Sequence, residues 1–149
     1  MKKNTLSIIA ILGLTTLLVA SPVSAAPSAA MSATIPFEFT VGKTVLPAGQ
    51  YEVKTNFVSS GVLLIQGRDG GPSVMILTNT TYTKHSMNET SLVFNRYGSQ
   101  YFLSKIWTAG EEEGCELHKT PAEREISRAY RLAKSNAPVE TVTIAADRH

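Results

Sequence analysis

Apolar and polar residues alternate along much of this chain, and the breaks in that alternation divide it into elements. From Thr34 to Val41 the apolar side chains fall on odd positions and the polar ones mostly on even positions. Period two is the mark of a half-buried strand. Pro36 lies within this run and lacks an N–H, which points to an edge strand or the start of one. Leu46-Pro47-Ala48-Gly49 reads as a turn, with Pro47 presetting φ and Gly49 fitting the fourth position. A strand is predicted at Gln50–Thr55. Two apolar runs follow, Gly61–Gln66 and Ser73–Thr78, joined through Asp69-Gly70, a strong hairpin signal. Neither run alternates, so both of their faces are expected to be covered. Residues 79–90 are polar and read as a long loop or a weak strand extension.

Leu92–Tyr97 and Gln100–Thr108 form a second predicted hairpin, turning at Gly98-Ser99. It is the most aromatic part of the chain. Gly110 and Gly114 then bracket an acidic loop. At Thr120-Pro121-Ala122-Glu123 the period changes. Thr120 is placed to accept from the N3 amide, Glu123 to reach back, and Pro121 sits at N1 where its missing N–H costs nothing. A helix is predicted over about 120–134. Ala122, Ile126, Ala129, Tyr130 and Ala133 share one face of it, which is expected to dock on something apolar. Alternation returns from Val139 to Ala146 and predicts a last strand. Short antiparallel strands, then a helix, imply a mainly β domain: a single antiparallel sandwich or small open barrel with one C-terminal helix.

The N-terminus follows a different pattern. Lys2 and Lys3 precede a continuous apolar run from Leu6 to Ala20, Pro22 breaks it, and Val23-Ser24-Ala25 supplies small residues at a cut site. This is the pattern of a secretory signal peptide, residues 1–25. The run is nearer 15 than the about 20 residues that a membrane span requires. Export to the periplasm or the medium is therefore expected. Residues 26–33 are read as a loose tail, and 34–149 as the β-rich domain.

Charge narrows the function classes. The whole chain carries a formal +2, from 14 basic and 12 acidic residues. Lys2 and Lys3 belong to the leader, so the mature chain is neutral. Phosphate neutralisation drives nucleic-acid binding, so a neutral domain is a poor candidate for it. No membrane span is expected after the leader.

Candidate chemistry is sparse. Cys115 is the single cysteine, so no internal disulfide can form. The thiol is either buried and inert or available to bridge two chains in a homodimer. Cys115-x-x-His118 has carboxylates nearby, but two soft ligands fall short of the usual three or four, and no metal is expected. Nothing resembles G-x-S-x-G or H-E-x-x-H, so no catalytic residue and no cofactor is assigned. Aromatic side chains can line a pocket or stack on sugars. Tyr97, Tyr101 and Trp107 are therefore the candidate ligand-binding residues, with Tyr97 and Tyr101 expected to be exposed beside the hairpin turn. Burial in the core is the competing assignment for these rings.

Three stretches carry a resemblance. Ile35-Pro36-Phe37-Glu38-Phe39-Thr40-Val41-Gly42, Leu46-Pro47-Ala48-Gly49-Gln50-Tyr51-Glu52-Val53, and Arg96-Tyr97-Gly98 with Tyr101-Phe102-Leu103 and Ile106-Trp107 resemble a group of small exported bacterial proteins, abundant in soil acidobacteria. That group carries IPFxFxVG, LPAGxYxV and RYGxxYFLxxIW patterns. The resemblance spans about residues 34–133. It implies an exported β-rich domain and carries over no functional residue. The expected role is that of a non-catalytic exported protein, envelope-associated or partner-binding. The alternative is a carrier for a small apolar or carbohydrate ligand, and an enzyme of unknown class comes third.

Overall fold

The computed structural model describes residues 29–56, 61–134 and 138–149. Residues 1–25, the predicted signal peptide, lie outside them. Eleven strands and one helix make up the described chain: β1 (Ala29–Ile35), β2 (Phe39–Val41), β3 (Thr44–Leu46), β4 (Gly49–Asn56), β5 (Val62–Gly67), β6 (Ser73–Tyr82), β7 (Ser91–Tyr97), β8 (Gln100–Trp107), β9 (Glu113–Leu117), α1 (Pro121–Ala133), β10 (Glu140–Ala145) and β11 (Asp147–Arg148). The domain is mainly β with one C-terminal helix, as the alternation predicts. Among the described residues no helix is long and apolar enough to cross a membrane.

The strands form one open sheet in the order β10-β7-β8-β9-β6-β5-β4-β1-β11. The ladders along this path are antiparallel. Beside it, β2 pairs with β3 and meets β8 in parallel at Thr40–Phe102. The chain turns corners at two places. The first half of β6 pairs with β5 and its second half with β9. At the C-terminus β10 pairs with β7, and β11, one residue later, pairs with β1. These last two strands lie at opposite ends of the ladder path. The backbone N–H of Ala146 donates to Thr90 and that of His149 to Ala30, so the C-terminal segment bridges the two ends. Corners made by strands that change partners are how a sheet folds over its own face.

The inward positions meet in one core. Met31, Ile35, Phe39, Val41, Leu46, Tyr51, Val53, Leu63, Ile65, Leu92, Phe94 and Ile106 are almost fully buried there. The three stretches of the family-like pattern converge in it. Tyr51 meets Phe39 edge to face, Phe39 meets Phe94, Phe94 meets Phe37, and Phe37 stacks on Tyr101 with centroids 3.9 Å apart. The Tyr51 hydroxyl donates to the Pro47 carbonyl at 2.6 Å and ties the β3–β4 turn to this column. Burial pushes the Tyr51 phenol up from its ordinary pKa.

Three local expectations give way. Residues 29–33 are strand rather than tail, because β1 pairs with β4 along its whole length from Ala29–Thr55 to Ile35–Gly49, with Met31 in the core. The bracketed acidic segment turns into β9 at Glu113, since its Cys115 and Leu117 fill core positions. The Thr34–Val41 run is not one strand but breaks at residues 36–38, between β1 and β2. After Thr78 the strand-extension alternative holds, and β6 continues as far as Tyr82 before the loop begins. The other elements fall close to their predicted places. Asp69 and Gly70 turn the β5–β6 hairpin with φ of 57° and 78°, and Gly98 turns β7–β8 with φ of 66°. Positive φ at these positions is what such turns require.

Candidate functional site

Side chains on the outward face of β7–β8 and on α1 build the most elaborate polar arrangement among the described residues. The Thr120 hydroxyl caps the helix by accepting from the Glu123 N–H at 3.1 Å. The other half of the capping box is not made. Glu123 turns inward instead and is buried, and its Oε1 accepts from Asn95 Nδ2 at 3.1 Å and from the Tyr97 hydroxyl at 3.2 Å. Lys119 Nζ in turn donates to the Tyr97 oxygen at 3.1 Å. The phenol of Tyr97 thus stands between a cation and a carboxylate. Tyr130 donates to Glu140 at 2.9 Å, a bond that raises its phenol pKa, and so ties the helix to β10.

The helix is docked by a face turned from the one the sequence pattern predicts, sharing with it only the half-buried Ile126 and Tyr130. Glu123 and Ser127 are its buried residues, whereas Ala122, Ala129 and Ala133 are exposed. The reason lies in the receiving surface. At β7 that surface presents Asn95 and Tyr97, which need an acceptor, and only a polar helix face supplies one. Ala122 and Ile126, with Pro121, Phe102, Thr40 and Gly42, are left to line an apolar cleft of about 330 Å³ beside the helix.

The three aromatic candidates do not form one site. Tyr97 is 4% exposed, against the expectation of an exposed ring, because α1 covers it, with Tyr130 and Phe102 packed edge to face on it. Tyr101 is half-buried in the stack with Phe37, and the Arg96 guanidinium lies 5.6 Å from its ring centroid. Trp107 stands at the far end of β8 and is 8% exposed. Its indole lies over Gly114 of β9, where a β-carbon would come within 2.5 Å of Cε3. Gly114 is thus a glycine because the indole occupies the space that a side chain would take.

Cys115 and His118 do not converge either. Cys115 faces the core and His118 is exposed. Burial pushes the Cys115 thiol up, Thr78 partly offsets this by hydrogen bonding, and Glu113 adds to the rise. The homodimer through Cys115 is corrected on this ground, since a core thiol cannot reach a second chain without unfolding. Native protein is expected to react negligibly with a thiol reagent and to titrate one thiol in denaturant. Rapid native labelling, or a dimer band on a non-reducing gel, would contradict this. Among the described residues no group of three or more His, Cys, Asp or Glu is placed to hold a metal ion.

The feature that sequence reasoning missed lies on the β5–β6 hairpin. Leu63 and Ile65 point into the core, so Val62 and Leu64 point out. They pair across the hairpin with Leu77 and Met75, which are 67% and 68% exposed. The runs that lack alternation thus have one covered face and one bare apolar face. Glu52 and Lys54, ion-paired on the neighbouring β4 at 3.1 Å, lie beside this patch.

No family model, curated protein or solved structure matches the chain.

Proposed function

We propose that this chain is an exported, non-catalytic β domain that works by binding a partner, with the outward face of the β5–β6 hairpin as its contact surface. The observation that carries this reading is the pairing of Val62 with Leu77 and of Leu64 with Met75 on a solvent-facing strand surface. A protein that exposes a contiguous apolar patch commonly uses it for interaction. The filled interior supports the same reading, because the aromatic column occupies the space a barrel-type carrier would offer its ligand. Export rests on the N-terminal pattern and on the resemblance to exported bacterial proteins.

A benzophenone probe at position 75, in the chain expressed and exported by a bacterial host, tests the reading. A discrete protein adduct is expected at position 75. It should be absent for the same probe at position 99 on the β7–β8 turn and lost when Leu77→Glu is added. No adduct at position 75, or equal adducts at both positions, overturns the proposal.

A carrier role is the second reading, favoured by the apolar cleft between Phe102, Pro121 and Ile126. Native mass spectrometry of the processed chain separates the two. A reproducible small-molecule mass that denaturation removes supports the carrier.

A further inference from the structure

The neutral net charge of the mature chain conceals a segregation of charge along α1. A second groove, about 380 Å³ in volume, runs along this helix and is lined by Lys119, Arg124, Ser127, Arg128, Arg131 and Leu132. Four of its six lining residues are cations and none is an acid. The ion pairs among the described residues lie elsewhere: Lys54–Glu52, Arg96–Glu140, Lys105–Glu116 and Arg148–Glu111. Arg124, Arg128 and Arg131 have no acidic partner among the described residues. Arg131 reaches only the Ser127 hydroxyl, at 3.4 Å, and Ser127 is 3% exposed. Of the two carboxylates flanking Arg124, Glu123 is turned away to Asn95 and Tyr97, and Glu125 is exposed and forms no ion pair with Arg124, Arg128 or Arg131.

Positions 124, 128 and 131 follow one another at spacings of four and three, which sets like charges side by side on one helix face and destabilises it. The arrangement is relieved by a counter-anion. Guanidinium groups suit an oxoanion in particular, because their planar N–H forks match two oxygens at once. Lys119 reaches the same groove from just before the helix.

We infer that this groove is an anion site for a multivalent phosphate group, held by Arg124, Arg128, Arg131 and Lys119 beside the buried Ser127. The phosphate belongs either to a small soluble phosphoryl compound or to a phospholipid headgroup, for which Leu132, 74% exposed at the groove, offers an apolar contact. The inference stands apart from the partner-binding surface, which lies on β5–β6.

Sodium pyrophosphate titrated calorimetrically into the processed chain at low ionic strength, where surface charge is least screened, tests the soluble source. Co-sedimentation with phosphatidylglycerol vesicles, against phosphatidylcholine vesicles as control, tests the headgroup. The variant is R124Q/R128Q, since both side chains are exposed and its melting temperature should match the parent. Saturable pyrophosphate binding that weakens at least tenfold in the variant supports a soluble phosphoryl ligand. Vesicle binding that needs phosphatidylglycerol, without pyrophosphate binding, and that is lost in the variant, supports a headgroup. Both together, lost together, support the shared chemistry. Absence of both, or binding that the variant leaves unchanged, overturns the inference.

Discussion

Trp107→Ala is expected to destabilise the domain by about 3–5 kcal/mol, the range for removing a buried aromatic side chain. For a domain of this size the melting temperature should fall by roughly 10–20 °C. The indole is 8% exposed and occupies the space beside Gly114 across the β8–β9 ladder. Truncation leaves a void on a strand pair whose other member has no side chain to fill it. β9 is only five residues long and joins β8 to β6, so loosening it opens the sheet at one of its corners. Far-UV circular dichroism is the suitable readout, because Trp107 is the sole tryptophan and its loss removes the fluorescence signal. An unchanged melting temperature would place the indole outside the packed structure and restore it as a ligand platform. Trp107→Phe should lose less, since a ring still covers Gly114.

Glu123→Ala should cost about 2–6 kcal/mol. The Asn95 amide and the Tyr97 hydroxyl would both lose their acceptor while staying covered by the helix. Leaving a buried donor unsatisfied costs about 1–3 kcal/mol for each group. Glu123→Gln keeps a carbonyl oxygen at the same reach and should be several-fold milder. The comparison is the test: equal melting temperatures for the Ala and Gln variants would mean that the oxygen at Oε1 does not hold the helix. Asn95→Leu in the Glu123→Ala background should recover part of the loss by removing one stranded donor, a coupling that a double-mutant cycle measures directly.

The sheet was legible in the sequence where turn chemistry and alternation agreed. Asp69-Gly70 and Gly98-Ser99 mark turns whose positive φ few residues other than glycine and Asp or Asn adopt readily, and both hairpins fall there. Thr120-Pro121 likewise marks the helix start to the residue. Residues 29–33 were illegible for want of contrast: Ala-Ala-Met-Ser-Ala carries too little side-chain difference to show a period, and only pairing with β4 makes it a strand. The docking face of α1 was misread because hydrophobicity ranks Ala above Glu, whereas the surface receiving the helix offers hydrogen-bond donors. The apolar patch was hidden for a related reason. A run without alternation predicts cover on both faces, and nothing within Val62–Gln66 or Ser73–Thr78 says that the second face stays bare. Tyr97, Tyr101 and Trp107 lie close in sequence, yet strand alternation and the length of β8 send them to three different environments.

The segment 140–148 that bridges the two ends of the sheet also acts as its edge protection, since it pairs with one side of β7 and one side of β1. Without it, β1 and β7 would each present an open edge, the kind of surface that aggregates or recruits a foreign strand. A chain terminated at residue 139 would carry both open edges permanently.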